Sequence, residues 1–403
     1  MTSRMELLSR LAVENQTKMV LLVVDGLGGL PGPRGLTELE SARTPHLDEL
    51  AARGETGLLE MVDLGITVGS GPGHLALFGY DPLEFSVGRG ILEALGVGAA
   101  VGPGDICARG NFCRWGEREI VVDRRAGRLP TERSRQILER LGREIPEIDG
   151  VRVTCYPSQE HRFVVVFSGA GLDERVTDAD PQKEDRPMRW ATARAPEAEF
   201  TARTANAFIR RVAEVLEGDP QVSSCLLRGF SGVPLLPDLK SLYRIRSAAL
   251  ADYPMYRGLA RLVGMNILES GPRYGDLFHA VQAYWDDYDF FYVHVKAPHL
   301  AGEDGDFVGK VRALEALDEE LNLLTDLQPT VFVVTGDHST PSLLKGHSWH
   351  PVPLLFFSPY GRPDDAVSFG ERVCARGGLG KIEASKLMGL MLAHALRLMK
   401  YGA

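Results

Sequence analysis

Side chains that can bind divalent metal ions follow two apolar segments of the sequence. Asp25 comes directly after the run MVLLVV, and Asp337 and His338 follow the run VFVVTG. His347 and His350 lie further along the same loop. Carboxylate oxygens and imidazole nitrogens are common ligands of divalent transition metals. This grouping indicates a metal site; the alternative is a set of histidines that only cap and hydrogen-bond the loop.

Another group of candidate ligands lies in the segment KAPHLAGEDGD at residues 296–306. His299 and Glu303 are four residues apart, which places both side chains on one face of a helical turn. Taken alone, residues 303–306 could equally form a solvated acidic loop. Together with the first group, they provide enough ligands for two divalent ions. Two neighbouring ions stabilise the attacking and leaving oxygens of a phosphoryl transfer, so we expect this chemistry.

A candidate nucleophile, Ser70, lies in the glycine-rich segment TVGSGPGHLALF. The segment predicts a turn that leads into a helix, where backbone N–H groups face the serine hydroxyl. A divalent ion bound to the serine oxygen lowers the pKa of the hydroxyl, so that no histidine base is needed. The alternative is an ordinary serine that caps the helix N-terminus.

The segments around these residues alternate between predicted strands and helices. Short apolar runs predict strands buried on both faces, as in a parallel sheet; they lie at residues 19–26, 290–298, 331–339 and 353–359. Segments with helical periodicity lie at residues 44–55, 306–327 and 381–400. This alternation predicts an α/β sheet covered by helices, whose ligands bind beyond the carboxyl ends of the strands. The residues expected there are Asp25, Lys296, Asp337 and His338.

The middle of the chain has a different pattern. It contains glycine-rich turns, the basic cluster VVDRRAGR at 121–128 and the strand-like segment RFVVVFSG at 162–169. A chain of 403 residues also favours two domains. We interpret residues 96–240 as a smaller α/β domain inserted into a core domain. That core comprises residues 1–95 and 241–403.

The composition excludes several classes of protein. With 44% apolar and 25% charged residues, the chain is neither disordered nor fibrous. No apolar run approaches the roughly 18 residues of a membrane span, and the first residues do not resemble a secretory signal. The net charge of −9 argues against a nucleic-acid partner. Five cysteines without a CxxC pair predict a reduced compartment, the cytoplasm, rather than a disulfide scaffold or a zinc ribbon.

Motifs along nearly the whole chain resemble those of one enzyme family. They are VVDGLGG, TELESARTPHLDELAARGETGLL, HLALFGYDP, VGRGILEALGVG, DRRAGR, VHVKAP, TGDHSTP and CARGGLG. The chain resembles the archaeal-type cofactor-independent phosphoglycerate mutases of the alkaline phosphatase superfamily. The resemblance implies an alkaline-phosphatase-like, mostly parallel sheet sandwiched by helices, with an inserted lid domain that closes on phosphoglycerate. It also implies an isomerase that interconverts 3-phosphoglycerate and 2-phosphoglycerate through a phosphoserine, as in glycolysis and gluconeogenesis.

The same resemblance implies cofactors: two divalent ions, with manganese expected and magnesium, cobalt or zinc as alternatives, and no 2,3-bisphosphoglycerate. The residues that match ligands of one ion are Asp25, Ser70, Asp337 and His338, with Ser70 as the phosphorylated nucleophile. The residues at the positions that bind the other ion are His299, Glu303 and His347. The residues that match substrate-contacting positions are Lys296 in the core and Asp123, Arg124, Arg125, Arg128, His161 and Arg162 in the lid.

The sequence departs from the family pattern at two places. The family has Asp at the position of His299 and His at that of Glu303, so the acid and the imidazole are exchanged here. The summed charge is unchanged, and we expect metal binding to persist with altered geometry. Residues 70–74 read Ser-Gly-Pro-Gly-His instead of Ser-Asp-Thr-Ala-His. Two alternatives therefore stay open: a metal-dependent phosphatase or mutase for another small phosphate ester, and a metal-free binding protein.

Three further histidines are expected to have structural roles. His350 occupies a position that is usually Asn or Asp in the family, so we interpret it as a hydrogen-bonding residue rather than a ligand. His294 lies within the apolar run FFYVHV and is predicted to be a buried strand residue. His74 is expected at the start of its helix. The oligomeric state is not predicted.

Overall fold

The computed structural model describes residues 4–85 and 87–402. It divides the chain into two compact units, the first formed by Met1–Ser86 and Leu236–Ala403 and the second by Val87–Leu235. The helix Arg89–Gly96 packs on strands of the second unit. The expected boundary at residue 95 therefore falls near the end of a helix of the inserted unit.

Strands and helices alternate through most of the chain. In chain order, the strands are β1 Met19–Val24, β2 Glu55–Glu60, β3 Ile106–Trp115, β4 Ile120–Asp123, β5 Glu147–Ile148, β6 Val151–Pro157, β7 Arg162–Ser168, β8 Arg186–Pro187, β9 Ser224–Gly232, β10 Ser247–Leu250, β11 Asn266–Ile267, β12 Phe290–Val295, β13 Val331–Thr335, β14 Val352–Phe357 and β15 Gly380–Glu383. The α-helices are α1 Arg4–Leu11, α2 Glu38–Ser41, α3 Pro45–Arg53, α4 Ser70–Leu77, α5 Arg89–Gly96, α6 Thr131–Glu144, α7 Glu199–Val215, α8 Leu239–Tyr243, α9 Pro254–Leu262, α10 Tyr274–Ala283, α11 Ala297–Asp304, α12 Phe307–Glu319, α13 Asn322–Thr325, α14 Glu371–Cys374 and α15 Leu387–His394. Short 3₁₀ turns lie at Glu117–Glu119, Pro196–Ala198 and Ala384–Lys386.

The first unit contains a mixed sheet with the strand order β11-β10-β12-β1-β13-β14-β2-β15. The strands from β11 to β13 are parallel to their neighbours, and so are β2 and β15. The α/β core with a mostly parallel sheet is therefore confirmed. Only β14 departs from the expected direction, because it is antiparallel to both β13 and β2. A strand that follows β13 can run parallel to it only after a crossover connection, which is usually a helix. The segment between β13 and β14 contains no helix.

The central strands end together at one edge of the sheet. β1, β12 and β13 are buried along their whole length, which explains their uninterrupted apolar sequences. Val24 of β1 pairs with Val295 of β12, and Val23 pairs with Thr335 of β13. Residues that follow these strands therefore leave the sheet at the same carboxyl edge.

Two predicted helices differ from the structure. The segment 381–400 begins as strand β15, which pairs with β2, and becomes α-helical only over Leu387–His394. Pairing with β2 provides hydrogen-bond partners for backbone N–H and C=O groups that would bond to each other in a helix. The segment 306–327 is divided between α12 and α13.

The inserted unit has an antiparallel sheet with the order β5-β6-β7-β3-β4-β8, and β9 also pairs with β3. Helices α5, α6 and α7 pack on its strands. The strand-like segment RFVVVFSG forms β7, as predicted. Among the described residues of the whole chain, no helix is both long and apolar enough to cross a membrane.

Candidate active site

Ser70 is the first residue of helix α4, and its N-cap is Gly69. The interpretation of Ser70 as the capping residue is therefore wrong. Its Oγ lies 3.1 Å from His338 Nε2, in the loop after β13. The structure thus brings the candidate nucleophile to the predicted metal ligands.

The unusual Ser-Gly-Pro-Gly-His segment is compatible with this approach. A Cβ at Gly73 would lie 2.2 Å from the carbonyl oxygen of Asp337, so a larger residue would push α4 away from the loop after β13. Pro72 lies in the first turn of the helix. N–H groups there have no intrahelical partner, and the proline therefore costs no helix hydrogen bond.

Asp25 is fully buried after β1. Its Oδ2 accepts hydrogen bonds from Lys296 Nζ at 2.8 Å and from Tyr256 Oη at 2.5 Å. His294 Nε2 lies 3.3 Å from the same oxygen. Burial by itself raises the pKa of Asp25, but His294, His338 and Lys296 outweigh it and leave the pKa well below its ordinary value. The carboxyl group is therefore ionised.

Two buried carboxylate oxygens, Asp25 Oδ1 and Asp337 Oδ2, have no hydrogen-bond partner among the residues that the structure describes. Both lie 3.3 Å from His338 Nε2. Burial, followed by the charge of Asp25, raises the pKa of Asp337 well above its ordinary value. Unpaired buried carboxylates are costly, and a cation between them removes that cost. Asp25, Asp337 and His338 can each offer a ligand atom within 4.8 Å of the others, so these residues fit a divalent ion.

A second candidate ligand group consists of His299, His338 and His347. Burial lowers the pKa of His338 well below its ordinary value and also lowers the pKa of His299. His347 Nδ1 lies 2.9 Å from the carbonyl oxygen of Val68. Because that oxygen only accepts, Nδ1 carries the proton and Nε2 is left as the ligand nitrogen. Neutral imidazoles are the form that binds metal ions.

Glu303 lies beside this group rather than within it. Its Oε2 is 3.2 Å from His299 Nε2, as the spacing of four residues predicts, but half of its side chain is exposed. His299 Nδ1 faces the interior, 3.2 Å from Asp25 Oδ1. Glu303 is absent from both groups of closely spaced ligand atoms in the described part of the chain.

The three histidines that were predicted to be structural are buried or engaged in local hydrogen bonds. His294 is a buried residue of β12, as predicted. His74 lies in the middle of α4 rather than at its start, and its Nδ1 donates to the carbonyl oxygen of Ser70 at 2.8 Å. Burial lowers the pKa of His74 to about 3. His350 Nδ1 lies 3.0 Å from Ser348 Oγ, a hydrogen-bonding role as expected.

The basic cluster of the inserted unit is held by two acidic residues. Asp123 accepts hydrogen bonds from the backbone N–H groups of Arg125 and Gly127, at 2.8 and 2.6 Å. Arg124 forms a bidentate pair with Asp180, at 3.0 and 2.6 Å. Asp123 and Arg124 therefore shape the turn, while the exposed side chains are those of Arg125 and Arg128.

His161 and Arg162 lie at the start of β7 in the same unit. Burial, with the neighbouring charge of Arg162, lowers the pKa of His161 to about 4. His161 Nδ1 and Arg162 Nε are buried atoms that lack a hydrogen-bond partner within residues 4–85 and 87–402. The two atoms keep unused hydrogen-bonding capacity, and both are buried.

Sequence reasoning missed Tyr256 and Lys310. Tyr256 lies in α9, which follows β10 and begins with Pro254, so it too comes shortly after a parallel strand. This position shortly after a parallel strand is the sequence feature from which a place near the site could have been predicted for Tyr256. Burial, with the charge of Asp25, raises the pKa of Tyr256 well above its ordinary value, and its hydroxyl keeps its proton. Lys310 lies within helix α12, where nothing in the sequence separates it from a surface lysine.

A serine at a helix N-terminus, beside carboxylates and imidazoles at the carboxyl edge of an α/β sheet, is typical of enzymes that transfer phosphoryl groups with metal ions. The family model of 2,3-bisphosphoglycerate-independent phosphoglycerate mutase matches residues 51–221. A probable mutase of this name from Thermotoga neapolitana is 51% identical to this chain over 403 residues. The aligned residues are 100% of each chain. Another from Thermus thermophilus is 49% identical over 400 residues, which are 98% of each chain.

Solved structures agree with these sequence relatives. A protein of Pyrococcus horikoshii has a TM-score of 0.84 and 27% identity, covering 97% of this chain and 100% of its own. The cofactor-independent phosphoglycerate mutase of Thermoplasma acidophilum has a TM-score of 0.73 and 26% identity, covering 94% of this chain and 100% of its own. The chain belongs to the family of 2,3-bisphosphoglycerate-independent phosphoglycerate mutases, which are isomerases. The predicted family is confirmed.

Proposed function

We propose that this chain interconverts 3-phosphoglycerate and 2-phosphoglycerate through a phosphoserine at Ser70, without 2,3-bisphosphoglycerate. The observation that carries the proposal is the position of Ser70 Oγ. It lies 3.1 Å from His338 Nε2, which is itself 3.3 Å from the unpaired oxygens of Asp25 and Asp337. A hydroxyl next to so many ligand atoms is placed to act as a nucleophile.

The site would hold two divalent ions, for which we propose manganese. The residues for one ion are Asp25, Ser70, Asp337 and His338, and the residues for the other are His299 and His347, with Glu303 beside them. When bound, such ions neutralise charge on the transferred group and lower the pKa of the serine hydroxyl. The contact between Glu303 and His299 supports an outer role for Glu303, in which it orients the imidazole.

The reaction moves one phosphoryl group twice. Ser70 Oγ loses its proton and bonds to phosphorus while the bond from phosphorus to the C3 oxygen of the substrate breaks, and the C3 oxygen takes up a proton to become a hydroxyl of glycerate. Glycerate then reorients, and its C2 oxygen loses a proton and takes the phosphoryl group back from Ser70, which regains its hydroxyl proton. Lys296, whose ammonium group is only partly buried, would stabilise negative charge on the transferred group.

The inserted unit would act as the lid that binds phosphoglycerate. Arg125, Arg128 and Arg162 offer guanidinium groups to the phosphate and the carboxylate, and His161 would bind beside them. Asp123 and Arg124 would hold the basic turn in shape. Such a lid must exclude water, because hydrolysis of phosphoserine would turn the mutase into a phosphatase.

The proposal also concerns the binding partner and the cellular compartment. The partner is a small phosphorylated molecule, rather than a nucleic acid. All five cysteines are free thiols, which supports a reduced compartment, the cytoplasm.

Incubation of the manganese-loaded protein with 3-phosphoglycerate tests the function directly. We expect 2-phosphoglycerate without free phosphate. The Ser70→Ala variant should form no isomer and gain no phosphoryl mass, whereas Ser41→Ala, at an exposed serine, should behave as wild type. Phosphate release without isomer would establish hydrolysis instead. Absence of both products, with no metal retained after dialysis, would point to a binding protein.

A further inference from the structure

Tyr256 is a buried residue of helix α9 with 1% of its surface exposed. Helix α9 follows β10, a parallel strand of the core sheet, so the tyrosine lies near the carboxyl edge where the candidate ligands meet. None of the motifs that carry the family resemblance contains it. Its role has to be inferred from its contacts.

The hydroxyl of Tyr256 contacts three polar groups of the site. Its oxygen lies 2.5 Å from Asp25 Oδ2, 3.1 Å from Lys296 Nζ and 3.2 Å from Ser70 Oγ. A tyrosine hydroxyl has one proton to donate and two lone pairs that accept. The contact with Asp25 Oδ2 is the shortest of the three, so the tyrosine donates its proton there. The lone pairs of Tyr256 are then available to Lys296 and to the hydroxyl proton of Ser70.

The ring of Tyr256 is fixed independently of any ligand. It stacks on His294 with centroids 3.7 Å apart, and it lies 4.9 Å from the ring of His74. Because both histidines are buried, these contacts fix the position of the tyrosine hydroxyl. The hydroxyl is therefore preorganised before substrate binds.

We propose that Tyr256 is a further catalytic residue of the phosphoryl transfer, whose hydroxyl orients Ser70 Oγ for attack. The same hydroxyl, with Lys296, occupies Asp25 Oδ2, so that Oδ1 stays free for the metal ion. Tyr256 acts by hydrogen bonding and neither gains nor loses a proton. The inference rests on the proposed function, in which Ser70 is the nucleophile.

The Tyr256→Phe variant tests the inference, because it removes the hydroxyl and keeps the stacked ring. The matched control is Tyr292→Phe in β12, whose buried hydroxyl has no hydrogen-bond partner in the described part of the chain. We expect Tyr256→Phe to lower kcat by about 10- to 100-fold, with KM changed less than about twofold. Tyr292→Phe should keep kcat and KM near those of wild type.

A single-turnover experiment gives a second readout that a merely structural role would not change. The rate at which Ser70 gains a phosphoryl group, followed by intact mass, should fall by the same factor as kcat. Calorimetric titration with Mn²⁺ should still show the wild-type number of bound ions. Equal kcat and equal phosphorylation rates in the two tyrosine variants would overturn the role of Tyr256.

The phosphoserine mechanism and the role of Tyr256 can be tested separately. If wild type and Ser70→Ala behave alike, the phosphoserine mechanism is wrong and the role of Tyr256 is overturned with it. If wild type is active and Ser70→Ala is inactive, but Tyr256→Phe turns over as fast as wild type, only the role of Tyr256 is wrong.

Discussion

The imidazole rings of His338 and His347 stack with centroids 3.6 Å apart and an angle of 23° between their planes. The loop after β13 folds back on itself, because the N–H of Ser348 donates to the carbonyl oxygen of Ser339. That bond brings the two histidines together although they are nine positions apart in the chain. Two stacked imidazolium ions would repel each other. Burial, with the neighbouring His347, lowers the pKa of His338, so the His338 ring is in the neutral form that can bind a metal ion.

His347 belongs to only one of the two ligand groups, and its loss should affect one ion. We expect His347→Ala to lower the retained manganese from about two ions per chain to about one, measured by elemental analysis after gel filtration. The matched control is His350→Ala, which removes a ring that contacts Ser348 and Trp349 and should retain both ions. Full retention of both ions by His347→Ala would remove it from the ligand set.

Glu303→Gln separates an outer carboxylate from a direct ligand. If Glu303 only orients His299, the variant should bind manganese about 10- to 100-fold more weakly and still reach the wild-type number of ions at saturation. Isothermal titration calorimetry measures both quantities. Asp304→Asn, at the neighbouring exposed acid, is the control and should bind as wild type. A missing ion at saturation would make Glu303 a ligand.

Lys310 connects the loops that carry the metal ligands. Its fully buried ammonium group donates to the carbonyl oxygens of Gly26, Gly28 and Thr340, at 2.8, 3.0 and 2.9 Å. Lys310→Met leaves these oxygens without a donor and should lower the free energy of unfolding by about 3 kcal/mol or more. Urea unfolding measures the loss. Lys345→Met, at an exposed lysine, should change it by less than about 0.5 kcal/mol; similar stabilities of the two variants would refute the role of Lys310.

Asp289 should contribute stability that depends on pH. It accepts hydrogen bonds from the backbone N–H and the guanidinium group of Arg246, both at 2.9 Å, and lies 3.4 Å from Arg397. Burial by itself raises the pKa of Asp289, but the bonds from Arg246 and the charge of Arg397 lower it below its ordinary value. As the pH falls, Asp289 therefore becomes protonated at a higher pH in the unfolded chain than in the folded protein. The stabilisation is present above about pH 4 and is lost as the pH falls through the folded pKa.

The Asp289→Asn variant should lower the free energy of unfolding by about 1 to 3 kcal/mol at neutral pH. The difference from wild type should shrink below about pH 4. Urea unfolding at several pH values measures it. Asp287→Asn, at an exposed neighbour, is the control and should differ from wild type by less than about 0.5 kcal/mol. A difference that stays constant from neutral to acidic pH would contradict the linkage.

The parts of the fold that were predicted correctly are the strands whose burial is evident from the local sequence. β1, β12 and β13 are buried on both faces, so their residues form uninterrupted apolar runs. β15 was predicted as part of a helix, because its strand conformation depends on pairing with β2, more than 300 residues away. Local periodicity contains no information about such a partner.

The sequence by itself determined the family, the α/β core and the candidate ligands that directly follow strands, such as Asp25, Asp337 and His338. It could do so because parallel strands end at one edge and the residues after them must meet there. Only the tertiary structure decided that Glu303 lies outside the two ligand groups and that Tyr256 reaches Ser70. Those relationships depend on how helices α9 and α11 pack over the strand ends, and packing joins residues that no local pattern connects.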